Sequence, residues 1–314
     1  MITNEPTVNQ SNVDQSTAVL PSSQVWQWRG YPIRFQTAGT QGSAVLLIHG
    51  LGASSDHWRK NIPVLAEHHR VYAIDLIGFG QSAKPAPGHP PENPIEYRFD
   101  TWGEQITAFC QEIIGEPVYV VGNSIGCIVA LQAAVMAPQR VLAIALLDCA
   151  LRSQHERKLN WYRRITFPLV QKILTYPAIG HYFFSKLAQP KILRKVLLKA
   201  YGRSDAVTDE LIDILLQPTR EPGAADVFLS FITYSQGPLP EDLLPQVSCP
   251  VLIAWGTADP FEPFAKGKAL ADFPIVKDFI PLEGIGHCPQ DEAPELVNPI
   301  LQQWFAKHAQ PSSV

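Results

Sequence analysis

A serine between glycines, a late aspartate and a later histidine follow one another in an order that suits nucleophilic catalysis. Ser124 lies in Val118-Tyr119-Val120-Val121-Gly122-Asn123-Ser124-Ile125-Gly126, after a β-branched apolar run and before a helix-like one. A strand that turns sharply into a helix strains the residue at the turn and exposes its side chain above the sheet. Small neighbours then let the helix approach. A serine hydroxyl is a weak nucleophile at neutral pH and needs a base, which in turn needs a carboxylate to hold its tautomer. His287, in Gly284-Ile285-Gly286-His287-Cys288-Pro289, supplies the base. Asp259, in Trp255-Gly256-Thr257-Ala258-Asp259-Pro260, supplies the acid, while Asp148, after Leu146-Leu147, is a second carboxylate open to the same histidine. Acyl chemistry also needs two N–H groups facing the developing oxyanion. Ile125, next to the serine, offers one, and Leu51 in His49-Gly50-Leu51-Gly52 offers the other. Asp75, before a glycine-rich turn, and His49 read as structural, and Cys288 as an inert thiol.

The elements that must position these residues alternate. Val25–Trp28 and Ile33–Gln36 flank Gly30-Tyr31 as a hairpin, and Ala44–Ile48 and Val71–Asp75 are continuous apolar runs that suit buried parallel strands. A helix is expected over Trp58–Glu67. A second, opened by a capping box at Thr101 and Glu104, runs to Ile114. Val118–Val121 is a strand, Ser124–Ala137 a helix and Val141–Leu147 a strand. Strands return at Val251–Trp255 and Ile275–Ile280, before a final amphipathic helix from Pro294 to Lys307. Strands alternating with helices define an α/β chain with a mostly parallel, doubly wound sheet. The alternation lapses over 150–246, which reads as a helical cap inserted after the sixth strand. The expected organisation is a disordered tail over 1–24, a core over 25–149 and 247–310, and the cap between.

Bulk properties narrow the class. The chain has 314 residues, 46% of them apolar, with a net charge of −4, so nothing global calls for nucleic acid. Five cysteines, an odd number with none paired at short spacing, argue against a disulfide scaffold or a zinc site. His68-His69 is a lone pair, and Gly78-Phe79-Gly80 lacks the third glycine of a dinucleotide loop, so no metal or cofactor is expected. The start of the chain lacks the basic and apolar segments of a secretory signal. A protein of the cytoplasm, or peripheral to an internal membrane, is expected.

The motifs at 49–52 and 122–126, with Asp259 and His287, together resemble the α/β-hydrolase superfamily. The stretches Leu51–Arg59 and Ala73–Ser82 are similar to a group from photosynthetic organisms that includes chlorophyll dephytylase and pheophytinase. That resemblance implies hydrolysis of a lipophilic ester, the phytyl ester of a chlorophyll-type pigment being the leading candidate. C–C hydrolases of ring-fission products are a more distant likeness, and triad-bearing receptors and acyltransferases stay open as alternatives. Dehalogenases and epoxide hydrolases of this fold attack with a carboxylate, and Ser124 stands in that position here. Cys127 departs from the relatives that carry a further glycine there.

The cap carries the remaining signal. From Arg152 to Arg203 there are twelve Lys or Arg and one acid, Glu156, a balance of +11 that leaves −15 for the rest of a chain totalling −4. Aromatic and aliphatic residues interleave with these charges, a pattern that suits contact with an anionic membrane surface.

Overall fold

The structure, a computed structural model, describes residues 20–88 and 95–309. Eight strands form one sheet: β1 (Ser22–Trp28), β2 (Tyr31–Ala38), β3 (Ala44–Ile48), β4 (Arg70–Ile74), β5 (Val118–Asn123), β6 (Val141–Leu147), β7 (Val251–Gly256) and β8 (Val276–Leu282). Their order is β1-β2-β4-β3-β5-β6-β7-β8. The β1–β2 and β2–β4 pairs are antiparallel and every later pair is parallel. Helices α1 (Ile62–Leu65), α2 (Phe99–Phe109) and α3 (Ile125–Met136) belong to the first half of the core. Between β6 and β7 lie α4 (Trp161–Leu174), α5 (Pro177–Leu187), α6 (Pro190–Ala200), α7 (Asp209–Leu216), α8 (Ala224–Ile232) and α9 (Pro240–Leu243). The chain closes with α10 (Phe264–Lys268), α11 (Pro289–Glu292) and α12 (Pro294–Lys307).

The continuous apolar strands follow from burial on both faces. Ala44, Leu46 and Ile48 of β3 join a core that holds Trp102 and Ile106 of α2 and Ile128 of α3. Val45 and Leu47 face the opposite way, into a core with Ile62 of α1 and Leu301 and Phe305 of α12. Alternate residues of a strand point to opposite faces, so a strand covered on both sides has no place for a polar residue.

Local details depart from expectation. The tail expected over 1–24 overlaps β1, whose Ser22 and Ser23 pair with Thr37 and Gln36; residues 1–19 lie outside the described residues, as does 310. The proline-rich loop from Lys84 is described only to Gly88 and again from Ile95. Helix α2 starts at Phe99, and Arg98 before it makes no side-chain cap, so Thr101 and Glu104 form no capping box. The early start sets Phe99 against Trp102 and Phe231 in the core. Where a helix over Trp58–Glu67 was expected, a 3₁₀ turn at Ser55–Trp58 precedes the four-residue α1, and Pro63 sits at its start, where a missing N–H costs nothing.

The β5–α3 turn leaves no room for side chains at two positions. A Cβ on Gly126 would lie 2.4 Å from the Ile48 carbonyl oxygen, and one on Gly122 would lie 2.5 Å from the Gly126 backbone. Backbone atoms cannot rotate away as a side-chain tip would. Gly126→Ala is expected to destabilise the fold by about 2–3 kcal/mol, in the range for overpacking, read as a lowered unfolding midpoint in urea.

Candidate active site

Ser124 occupies the corner between β5 and α3 with φ 55° and ψ −118°, a conformation that strains any residue with a Cβ. Its N–H donates to the Leu147 carbonyl at 3.0 Å, and its carbonyl accepts from Cys127 N–H at 3.1 Å and Ala150 N–H at 3.2 Å. Three bonds, to the end of β6, to α3 and to the chain just beyond β6, thus hold the corner. The Cys127 thiol is buried and donates to the Gly122 carbonyl at 3.1 Å, so the departure at 127 reinforces the same turn.

The histidine and acid arrive from the ends of the last two parallel strands. His287 Nε2 lies 3.0 Å from Ser124 Oγ, and His287 Nδ1 lies 2.7 Å from Asp259 Oδ2. The other oxygen of Asp259 accepts from the N–H groups of Phe261 at 2.8 Å and Glu262 at 3.0 Å. Burial by itself would raise the Asp259 carboxyl. The hydrogen bond and charge of His287, with these two N–H groups, outweigh it and hold the carboxyl below its ordinary value.

The two acids left open by the sequence take different parts. Asp148 is fully buried; its Oδ1 accepts from Gly256 N–H at 2.9 Å, and its other oxygen has no hydrogen-bond partner among the described residues. Burial, and then the neighbouring Asp259 charge, push the Asp148 carboxyl well above its ordinary value. The two carboxyls are thus shifted in opposite directions, Asp148 up and Asp259 down, as two carboxyls at one buried site tend to be. Asp148, Asp259 and His287 lie close enough together to suggest a metal cluster, all three offered atoms falling within 4.8 Å. Asp259 bonds His287 Nδ1, the contact that fixes the tautomer and orientation of an imidazole.

Leu51 and Ile125 line the same cavity as Ser124. Among the described residues, neither backbone N–H of this pair donates to another group. The loop carrying Leu51 is pinned from below. His49 Nδ1 meets the Gly50 carbonyl at 2.8 Å, and its Nε2 accepts from Leu76 N–H at 3.1 Å. Asp75 accepts from Ser55 N–H at 2.6 Å and Gln81 N–H at 2.7 Å, while Arg34 bridges Asp56 and Asp75. Asp75 and His49 thus bond to the backbone that frames this loop.

Several contacts at the site carry no signal local in sequence. Asn123 Nδ2 donates to the His287 carbonyl at 3.0 Å, and His287 N–H donates to the Ala200 carbonyl of α6 at 2.8 Å. The histidine loop is therefore fastened to both the sheet and the cap. Tyr201, at the end of α6, donates its hydroxyl to Asp291 at 2.9 Å and meets His57 Nε2 at 3.0 Å. Burial lowers His57 to about 4, so it stays neutral. Burial likewise pushes the Cys288 thiol well above its ordinary value.

Two adjoining cavities meet at the histidine. One, about 300 Å³, is walled by aliphatic and aromatic side chains of the cap, among them Leu187, Leu193, Leu197, Leu215 and Phe228, and reaches His287. The other, about 620 Å³, holds Ser124 with Phe99, Arg152, His155, Tyr234 and Glu262. Leu51, Val196, Phe261 and His287 line both.

The mostly parallel sheet with helices on both faces, the strained serine and the histidine–aspartate pair give this chain the α/β-hydrolase fold and the groups of a hydrolase. The family model for the alpha/beta hydrolase fold matches residues 43–173. Among its relatives, the chloroplastic pheophytinase of Arabidopsis thaliana is 26% identical over 311 residues, covering 88% of this chain. This chain spans 64% of that protein's length. The 2-hydroxy-6-oxo-6-(2'-aminophenyl)hexa-2,4-dienoic acid hydrolase of Metapseudomonas resinovorans is 37% identical over 125 residues, 38% of this chain and 40% of its own. The crystal structure of a membrane phospholipase A, described as a bacterial virulence factor, superimposes with a TM-score of 0.71 at 25% identity, covering 93% of this chain and 87% of its own.

The two acids separate by substitution. Asp259→Asn is expected to lower kcat on the order of 10⁴-fold through loss of the imidazole's tautomer control, whereas Asp148→Asn keeps kcat near the parent value. Because the folded-state pKa of Asp148 is raised, its contribution to stability is complete at acid pH and is lost as pH rises through that folded value. Asp148→Asn has no such proton to lose, so denaturation midpoints should fall for the parent relative to the variant as pH rises from the ordinary carboxyl range towards the raised folded value.

Proposed function

We propose that this chain is a serine hydrolase of lipophilic carboxylic esters that works through an acyl-enzyme. The observation that carries the proposal is the continuous hydrogen-bonded line from Ser124 through His287 to Asp259, opening onto an apolar cavity. His287 takes the Ser124 proton as Oγ bonds to the ester carbonyl carbon. The N–H groups of Leu51 and Ile125 receive the oxyanion, each such donor being worth about 3 kcal/mol in the transition state. His287 then gives its proton to the departing alcohol as the C–O bond breaks. Water attacks the acyl-serine, with His287 again taking and returning a proton, and the acid is released.

The apolar cavity supports a long hydrocarbon chain next to the reacting carbonyl. The similarity to pheophytinase supports a finer reading, the phytyl ester of a chlorophyll-type pigment, with the flat polar part in the larger cavity under Phe99, Arg152 and Tyr234.

Fluorophosphonate labelling, followed by turnover of p-nitrophenyl esters of graded length, chlorophyll a and a ring-fission dienone, tests both levels. Labelling at Ser124 with faster turnover of long esters than of short ones is expected. Preference for the dienone would replace the ester reading, and labelling without turnover of any substrate would point to a receptor. Ser124→Ala should lose all turnover while keeping its fold by circular dichroism. Leu215→Trp, which fills the apolar cavity, should shift the preferred ester to shorter chains, measured as kcat/KM across the series.

A further inference from the structure

Helix α4 presents its apolar side to the outside. No residue of α4 is buried, and only Phe167, Gln171 and Leu174 are even partly covered. Trp161, Ile165, Leu169 and Ile173, spaced four apart, form a stripe on the opposite side, with exposures of 77, 62, 59 and 54%. The stripe continues beyond the helix at Tyr176, 64% exposed, and on α5 at Tyr182, also 64% exposed. Scattered exposed apolar residues are ordinary, but a run of this kind on adjoining helices marks a contact surface. Helix α4 packs on α5, and α5 on α6, so the exposed residues share one neighbourhood of the cap.

Charge decides what covers it. Residues 161–200 contain eight Lys or Arg and no Asp or Glu. Of these eight, Arg194 is paired with Asp209; the other seven have no carboxylate partner among the described residues. Lys191, Lys195 and Lys199 are exposed at four-residue spacing along α6. A second copy of this chain would bring the same positive charge against itself. An anionic lipid surface meets both properties at once, taking the apolar stripe into the acyl boundary and the cations at the headgroups.

We propose that α4–α6 form a docking face for an anionic lipid bilayer and that the ester substrate enters the apolar cavity from that face. The route is visible in the helices that make it. Val196 of α6 is 41% exposed yet lines both cavities, and Phe184 and Leu187 of α5 line the apolar cavity beside the exposed Tyr182 and Phe183. None of the helices among the described residues is long and apolar enough to cross a membrane, so contact at this face is peripheral. The route to the cavity rests on the ester-hydrolase proposal; the docking itself does not.

Co-sedimentation of the full chain with vesicles of phosphatidylcholine, or of an equal mixture with phosphatidylglycerol, tests the face. Binding to the mixed vesicles, weak binding to the neutral ones and loss of binding with added salt are expected. The triple variant Lys191→Gln, Lys195→Gln, Lys199→Gln should weaken binding on the order of 100-fold. Ile165→Ser, Leu169→Ser and Ile173→Ser together should also abolish sedimentation. Both variants should hydrolyse a short p-nitrophenyl ester as the parent does, which shows that they fold. Equal binding to both vesicle types, no binding, or variants that bind like the parent would overturn the proposal. A dimer in light scattering that the serine variant dissolves would also overturn it, by giving the face to a second copy. Vesicle binding by a parent that hydrolyses no ester would leave docking standing and remove the hydrolase proposal alone.

Discussion

Everything at the site depends on one backbone corner. For Ser124 to stand above the sheet, β5 must end and α3 begin within a single residue. That is possible only because Gly122 and Gly126 let the helix backbone touch β5 and the Ile48 carbonyl of β3. The strain at Ser124 is carried by its bonds to Leu147, Cys127 and Ala150, which belong to elements buried for other reasons. The hydrophobic sheet therefore supports a conformation that the local sequence would not adopt unaided.

A second constraint concerns charge. Two aspartates lie near one histidine, and they cannot both be ionised in a buried space without large cost. The protein separates them by environment. Asp259 has the histidine and two backbone N–H groups to stabilise its negative charge, whereas Asp148 has one N–H group and an ionised neighbour. Asp259 is the carboxylate that meets the imidazole.

The cap does more than cover the sheet. Its α6 accepts a hydrogen bond from the His287 backbone at Ala200, and Tyr201 ties its end to Asp291 and His57. The wall of the apolar cavity and the loop carrying His287 are therefore parts of one packed unit. The compact cluster of α6 and α7 around Leu211 and Leu216 anchors this side of the cap, while α4 contributes no buried residue. One side of the cap is committed to the active site and the other faces outward with apolar and basic residues together.

The amino-acid sequence by itself determined the strand–helix alternation, the helical nature of 150–246, the bounds of the last helix, and Ser124, His287 and two aspartates, 148 and 259, as candidates for one site. These are properties of local pattern: apolar runs, small residues around a nucleophile, and a chain order that the sheet topology imposes. The start of α2 was misplaced because a capping box is a local signal, and the burial of Phe99 against Phe231, far along the chain, overrode it. Only the tertiary structure decided between Asp148 and Asp259, since the choice rests on which carboxylate meets His287 Nδ1 and which is left desolvated. Only it revealed Val196, Phe261, Tyr201 and His57 around the site, and showed that the stripe on α4 points away from the core. Distance, burial and the direction of a helix face arise when segments far apart in the chain pack together, and no spacing within a segment encodes them.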